Sequence, residues 1–191
     1  MTAPAYAELQ TTTNFCFLRG ASHPHELAAQ AKALGLAAIG ITDRNSLAGI
    51  VRAHLAARDI GLRLVVGCRL DFRDGSPSVL CYPTNRAAYG RLCRLLAIGK
   101  RQADKGECLL DYDDLLEFGE GQIVVALAPP DIDNAFREAL TLLQACWGWN
   151  VTGKSGTMMN DCVNAMSWII GIWGRSMSAL VTARPSRPTD I

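Results

Sequence analysis

The 191-residue sequence is short of several things, and each shortage removes a class of protein. Its seven cysteines, at positions 16, 68, 81, 93, 108, 146 and 162, form no C-x-x-C pair, so zinc-ribbon spacing and dithiol redox motifs are missing. The odd count, with no basic or apolar leader in MTAPAYAELQ, points to reduced thiols in a cytoplasmic protein. The longest uncharged run near the C-terminus, Cys162 to Gly174, has 13 residues. A membrane span needs about 17–25, so no membrane association is expected. An excess of one charge is missing too: 19 Lys+Arg stand against 18 Asp+Glu, a net charge of +1. That excludes a domain held to nucleic acid by bulk charge, and equally a disordered acidic tail.

What is present is unevenly spread. All four tryptophans (Trp147, Trp149, Trp168, Trp173) and four of the five methionines lie beyond residue 145. All the phenylalanines, tyrosines and histidines lie before it, and the last 46 residues contain neither Glu nor Gln. The composition divides the chain into residues 1–145 and a tail, 146–191. A 49% hydrophobic content is enough for one ordinary core.

The first part alternates strand and helix signals. Tyr6–Gln10 reads as a short strand, and Ser22 as the cap of a helix that starts near Pro24, buries Leu27, Ala31 and Leu34 and stops at Gly35. Ala37–Thr42 is an apolar strand closed by Asp43. Asn45 or Ser46 caps a second helix with Leu47, Ile50, Val51 and Leu55 as its buried stripe and Gly61 as its stop. Arg63–Phe72 and Ser78–Tyr82 read as strands around the turn Asp74-Gly75-Ser76-Pro77. Thr84 opens a long helix through Leu96, and Gln122–Leu127 is a buried strand. Asp131 or Asp133 starts an amphipathic helix through Ala135, Ala139, Leu142 and Leu143. Apolar strands alternating with helices define an α/β protein, with fewer strands than a closed (β/α) barrel needs.

The segments YAELQTTTNFCFLRGASHPHEL, AIGITDRNSLAGIVRAH, GLRLVVGC and YPTNRAAYGRLCRLLAIGKRQADKGECLL, in that order, resemble the N-terminus of the bacterial error-prone DNA polymerases, C-family relatives of the polymerase III alpha subunit. The resemblance runs from about Tyr6 to Ala145 and covers the first part of the polymerase-and-histidinol-phosphatase (PHP) domain. It implies an incomplete PHP-type (β/α) barrel over 1–145, followed by an unrelated tail of disordered or irregular structure over 146–191. An out-of-frame reading is the economical origin of that tail. The family are DNA-directed DNA polymerases (nucleotidyltransferases) acting in DNA replication, DNA damage repair and translesion synthesis. Their partners are the remainder of the polymerase, DNA, the sliding clamp and accessory mutagenesis proteins. Their catalytic Mg2+ is held in domains beyond the stretch matched here. This chain is therefore expected to be non-catalytic, without a cofactor of its own and without strong direct DNA binding.

PHP domains with activity are phosphoesterases in which His, Asp and Glu at strand ends hold cations that activate water. The resemblance places the family's H-x-H on Gln10 and Thr12, its next acidic residue on Arg19, and the histidine of T-D-H on Arg44 after Asp43. It places the glutamate after G-C on Arg69, and a further histidine on Ser78. None of these six is a metal ligand, and three are arginines, which repel cations. The site reads as vestigial, with no catalytic or metal-binding residue. Arg19, Arg44 and Arg69 are expected to fill the old cavity with Asp43 as counter-charge, because a buried guanidinium without a carboxylate is costly. The competing reading is a stand-alone PHP metal-dependent phosphoesterase.

Other features have plainer explanations. His23 and His25 sit at a helix start and read as solvent-facing, and His54 as a half-buried structural histidine. Arg91, Arg94, Arg101 and Lys105 would share a face if the helix ran past Gly99. Such a face could track a phosphate backbone, or simply be solvated. Gly148–Ser155 (GWNVTGKS) matches G-x-x-x-x-G-K-S, which gives a third alternative, a P-loop nucleotide-binding protein. A helix rather than a strand precedes it, and the 36 residues after it are too few for a nucleotide-binding sheet, so it reads as a chance match.

Overall fold

The computed structural model describes residues 6–128, together with positions 134, 136–139, 141 and 180–183. The chain divides into two compact units, Met1–Leu70 and Asp71–Ile191.

In the first unit β1 (Ala7–Thr11), β2 (Ala38–Ile41) and β3 (Arg63–Val66) form a parallel sheet in the order β1-β2-β3. Helices α1 (Pro24–Ala33) and α2 (Ile50–Asp59) make the two connections. Parallel strands need such crossovers, and β2, paired on both sides, is buried throughout. Ala28, Ala31, Ile50, Ala53 and Ala57 from the helices pack with Ile39, Ile41 and Leu62 in one core. Gly40 lets β2 lie tight against β1: a Cβ there would stand 2.4 Å from the backbone oxygen of Leu9.

The expected helices are present, with corrections to their faces and caps. His23, not Ser22, caps α1, and the Glu26 carboxylate accepts its backbone N–H at 2.7 Å. Leu34 is exposed, and Ala28 takes the buried place. Helix α2 begins after Gly49 and not after Asn45 or Ser46, and Val51 and Leu55 are 65% and 44% exposed. The buried face is Ile50, Ala53 and Ala57, because small side chains on both helices let them share one thin layer on the sheet. His54, expected to be half-buried, is exposed for the same reason. His23 and His25 are both exposed, as read from the sequence, with stacked rings 5.4 Å apart. Both helices do stop at Gly35 and Gly61, each with positive φ.

The stretch expected as one strand, Arg63–Phe72, is broken at Gly67, whose N–H donates to Ile41 O at 3.1 Å; β4 (Cys68–Leu70) follows. In the second unit β5 (Val79–Pro83) pairs antiparallel with β6 (Gln122–Leu127), and β6 with β7 (Leu180–Ala183). The expected tail therefore supplies one strand; the rest of it lies outside the described residues. Helix α3 (Arg86–Arg101) is capped by Asn85, not opened by Thr84, and buries Ala88, Leu92, Leu95, Leu96 and Gly99. The Asn85 side chain accepts from Ala88 N at 2.9 Å. Helix α4 (Tyr112–Phe118), absent from the sequence reading, follows Asp111. Asp131, Asp133, Ala135, Leu142 and Leu143 lie outside the described residues, while Phe136 and Ala139 are buried in helical backbone. The architecture is α/β, with helices and sheets mixed along the chain. Nor is any described helix long and apolar enough to cross a membrane.

Asp111 also receives a two-pronged ion pair from Arg73, at 2.6 and 2.5 Å. The Arg73 side chain, first by hydrogen bonding and then by its charge, holds the Asp111 carboxyl below its ordinary value. A lowered folded pKa contributes stability above the unfolded value, about 4, that is lost as pH falls through the folded one. Thermal melts across acid pH are expected to show a steeper loss of stability below pH 4 in the native chain than in Asp111→Asn, which keeps a capping side chain. Parallel curves would disprove the assignment.

Two glycine substitutions separate close approach from mere flexibility. Gly40→Ala is expected to abolish cooperative unfolding followed by circular dichroism. Gly90→Ala, where nothing lies within 4 Å of the new methyl, should instead add about 0.5–1 kcal/mol in urea.

Candidate functional site at the strand ends

Parallel topology brings the C-terminal ends of β1, β2 and β3 to one edge of the first sheet, the edge where α/β proteins build their sites. Thr42 follows β2, and its N–H donates to Thr11 O at 2.8 Å, locking the two strand ends in register. The next residue, Asp43, is 1% exposed. Its Oδ1 accepts the Thr13 backbone N–H at 2.7 Å, and its Oδ2 accepts the Thr13 hydroxyl, also at 2.7 Å. Thr13, fully buried, in turn accepts the Phe15 N–H at Oγ1, 3.2 Å away. Asp43 O accepts Arg69 N–H at 3.1 Å and lies 3.4 Å from the Cys68 thiol. Asn45 N–H returns to Arg69 O at 2.8 Å, so Arg44 and Arg69 form a parallel bridge. Gly49 closes the floor, since a Cβ there would sit 3.0 Å from both Asp43 Oδ2 and Thr13 Oγ1.

The residues singled out from the sequence are thus only partly gathered. Gln10 and Thr12 lie at the end of β1, and Gln10 N–H donates to Glu8 Oε1 at 2.9 Å. Glu8 Oε2 also holds the Tyr6 hydroxyl at 3.0 Å; burial, and then this carboxylate, push the Tyr6 pKa to about 12. Asp43, Arg44 and Arg69 come together. Ser78 belongs to the second unit, where its carbonyl accepts from Leu127 N–H at 2.9 Å. The expectation that three arginines fill a cavity needs correcting: Arg19 and Arg44 are exposed, and Arg69 is only half-buried. Guanidinium groups keep their hydration when the chain allows it, because desolvating them is expensive. Both carboxylate oxygens of Asp43 accept from Thr13. Thr13 went unnoticed in the run Thr11-Thr12-Thr13, and no spacing signal links it to a residue 30 positions away.

A family profile described as "PHP domain" matches residues 8–174, and the chain belongs to that family. Its sequence is similar to the N-terminal region of error-prone DNA polymerases. It is 60% identical to the error-prone DNA polymerase of Caulobacter vibrioides over 141 residues, 74% of this chain and 13% of that protein. It is 62% identical to error-prone DNA polymerase 1 of Agrobacterium fabrum over 128 residues, 67% of this chain and 12% of that protein. The chain spans about an eighth of the length of these relatives. A solved amidohydrolase from Chromobacterium violaceum, described with bound sulfate and no metal, shares the fold at a TM-score of 0.56 and 17% identity, covering 91% of this chain and 87% of that one. The profile match runs past Ala145, where the composition changes.

The residues at the strand ends do not fit the cations of the family's phosphoesterases. Both oxygens of Asp43 are already occupied by Thr13, and its neighbours are cationic. Among the described residues no three His, Cys, Asp or Glu side chains are grouped so that they could hold a metal ion. What the arrangement does is tie strand ends to one another. Thr13→Val should therefore destabilise the chain by about 2 kcal/mol in urea, the value of a hydrogen bond to a buried charge. Thr13→Ser, which loses one methyl group, should cost about 1 kcal/mol. Equal losses for the two variants would mean that the hydroxyl does not matter.

Proposed function

We propose that this chain is the PHP-domain portion of an error-prone DNA polymerase of lesion-bypass type, and that it serves as a scaffold without catalysing a reaction itself. The observation that carries this reading is the 60% identity over 141 residues to a polymerase of which the chain covers 13%. The remainder of such a polymerase is its natural partner, with the sliding clamp and accessory mutagenesis proteins acting on the whole enzyme. Support for the non-catalytic part comes from the side chains at the strand ends. Arginine stands where cations would be held, and the buried aspartate is consumed in structure.

A chimera tests both halves. Residues 8–145 of this chain would replace the matching segment of the Caulobacter enzyme, beside a variant in which that segment is deleted. The chimera is expected to restore primer extension lost on deletion. The isolated chain is expected to bind no stoichiometric zinc or manganese and to leave p-nitrophenyl phosphate intact. A folded chimera without extension would defeat the scaffold reading, and metal-dependent hydrolysis by the isolated chain would defeat the other.

A further inference from the structure

The near-neutral total charge conceals a sorting of charge in the second unit. Helix α3 carries five basic residues and no acidic one among its 16, whereas α4 carries Asp113, Asp114 and Glu117 and no base. At about 100° per residue, Arg86, Arg94, Lys100 and Arg101 fall within an arc of about 120°. That arc is opposite the buried face of Ala88, Leu92, Leu95, Leu96 and Gly99, and all four cations are exposed. None of them makes an ion pair among the described residues. Arg91, by contrast, is turned aside: its Nε donates to Glu120 O at 2.8 Å and its Nη1 lies 3.5 Å from Glu120 Oε2. The stripe is therefore not the one expected from the sequence, since Arg91 leaves it, Lys105 lies past the helix end, and Arg86 and Lys100 join.

The middle of the same arc is flat. Gly90 and Ala97 are exposed between the cations, and nothing stands within 4 Å of where a Cβ of Gly90 would be. A solvated helix face ordinarily mixes charge signs at i,i+4 spacing, and this one does not. A helix that lies in a lipid surface presents large apolar side chains beside its cations, and this arc offers only alanine and glycine. At about 1.5 Å rise per residue, Arg86 and Arg94 are about 12 Å apart along the axis and Arg94 and Arg101 about 10 Å. That spacing is close to the width of a DNA major groove, about 12 Å, with phosphates on either side.

We infer that the exposed face of α3 is a contact surface for the phosphate backbone of duplex DNA. The choice of DNA rests on the reading of the chain as part of a DNA polymerase. The contact is weak and independent of sequence, since it offers no side chain set to read base edges.

Fluorescence anisotropy of the full chain with a labelled 20-base-pair duplex tests it, separately from the chimera. Four phosphate contacts predict a slope of log affinity on log salt of about −3.6, so binding seen at 50 mM salt falls on the order of 100-fold by 200 mM. The pairs Arg94→Gln/Arg101→Gln and Arg86→Gln/Lys100→Gln should each weaken binding at least fivefold at 50 mM and reduce the slope by about two, with unchanged circular dichroism. Arg58→Gln/Arg63→Gln in the first unit should change neither. The inference is overturned by absence of binding at 50 mM salt, by an unaltered slope in both pairs, or by tighter binding to phosphatidylserine–phosphatidylcholine vesicles than to the duplex.

Discussion

A carboxylate sealed from water must find its donors inside the protein, and Asp43 finds two of them on Thr13. That interaction joins the end of β1 to the end of β2, and the Asp43 carbonyl extends the tie to Arg69. The edge of the parallel sheet depends on it: Thr42 is held in register beside it, Gly49 is kept small by it, and Phe15 is oriented through the same hydroxyl. The price of burying one charge is met by two short hydrogen bonds.

The arginines at the strand ends have a structural logic of their own. Arg44 and Arg69 are brought side by side by their backbones, yet Arg44 is exposed and Arg69 only half-buried. Long side chains can carry their charge outward from a strand end, while histidine or aspartate at the same place would be confined to it. A strand end can thus carry arginine while keeping the backbone arrangement that the fold requires. The basic residues of α3 follow the same economy, with Leu92, Leu95 and Leu96 facing inward and the cations facing out.

Much of the fold was legible because its signals are local. The burial of β2 and β6 follows from short apolar runs, and the helix stops at Gly35 and Gly61 follow from the need for a left-handed residue. The helix faces were less legible. Val51 and Leu55 attract attention by hydrophobicity, but the thin layer shared by two helices admits alanine, and Ala53 and Ala57 are buried instead. Strand Arg63–Phe72 looked continuous because a single glycine does not announce that it ends one strand and begins another. At the site, only the residue types at the strand ends could be read directly. The location of the arginine side chains could not, since it turns on the cost of desolvation rather than on pattern.

The sequence by itself determined the α/β class, the kinship with error-prone DNA polymerases and the absence of ligating residue types at Gln10, Thr12, Arg19, Arg44, Arg69 and Ser78, because each of these lives in residue identity and order. Only the tertiary structure decided that Asp43 is satisfied by Thr13, that Arg91 leaves the basic stripe of α3 for Glu120, and that Leu180–Ala183 joins β6. These pairings join residues 29 or more positions apart. Their energy depends on distance in space, which no short stretch of sequence specifies.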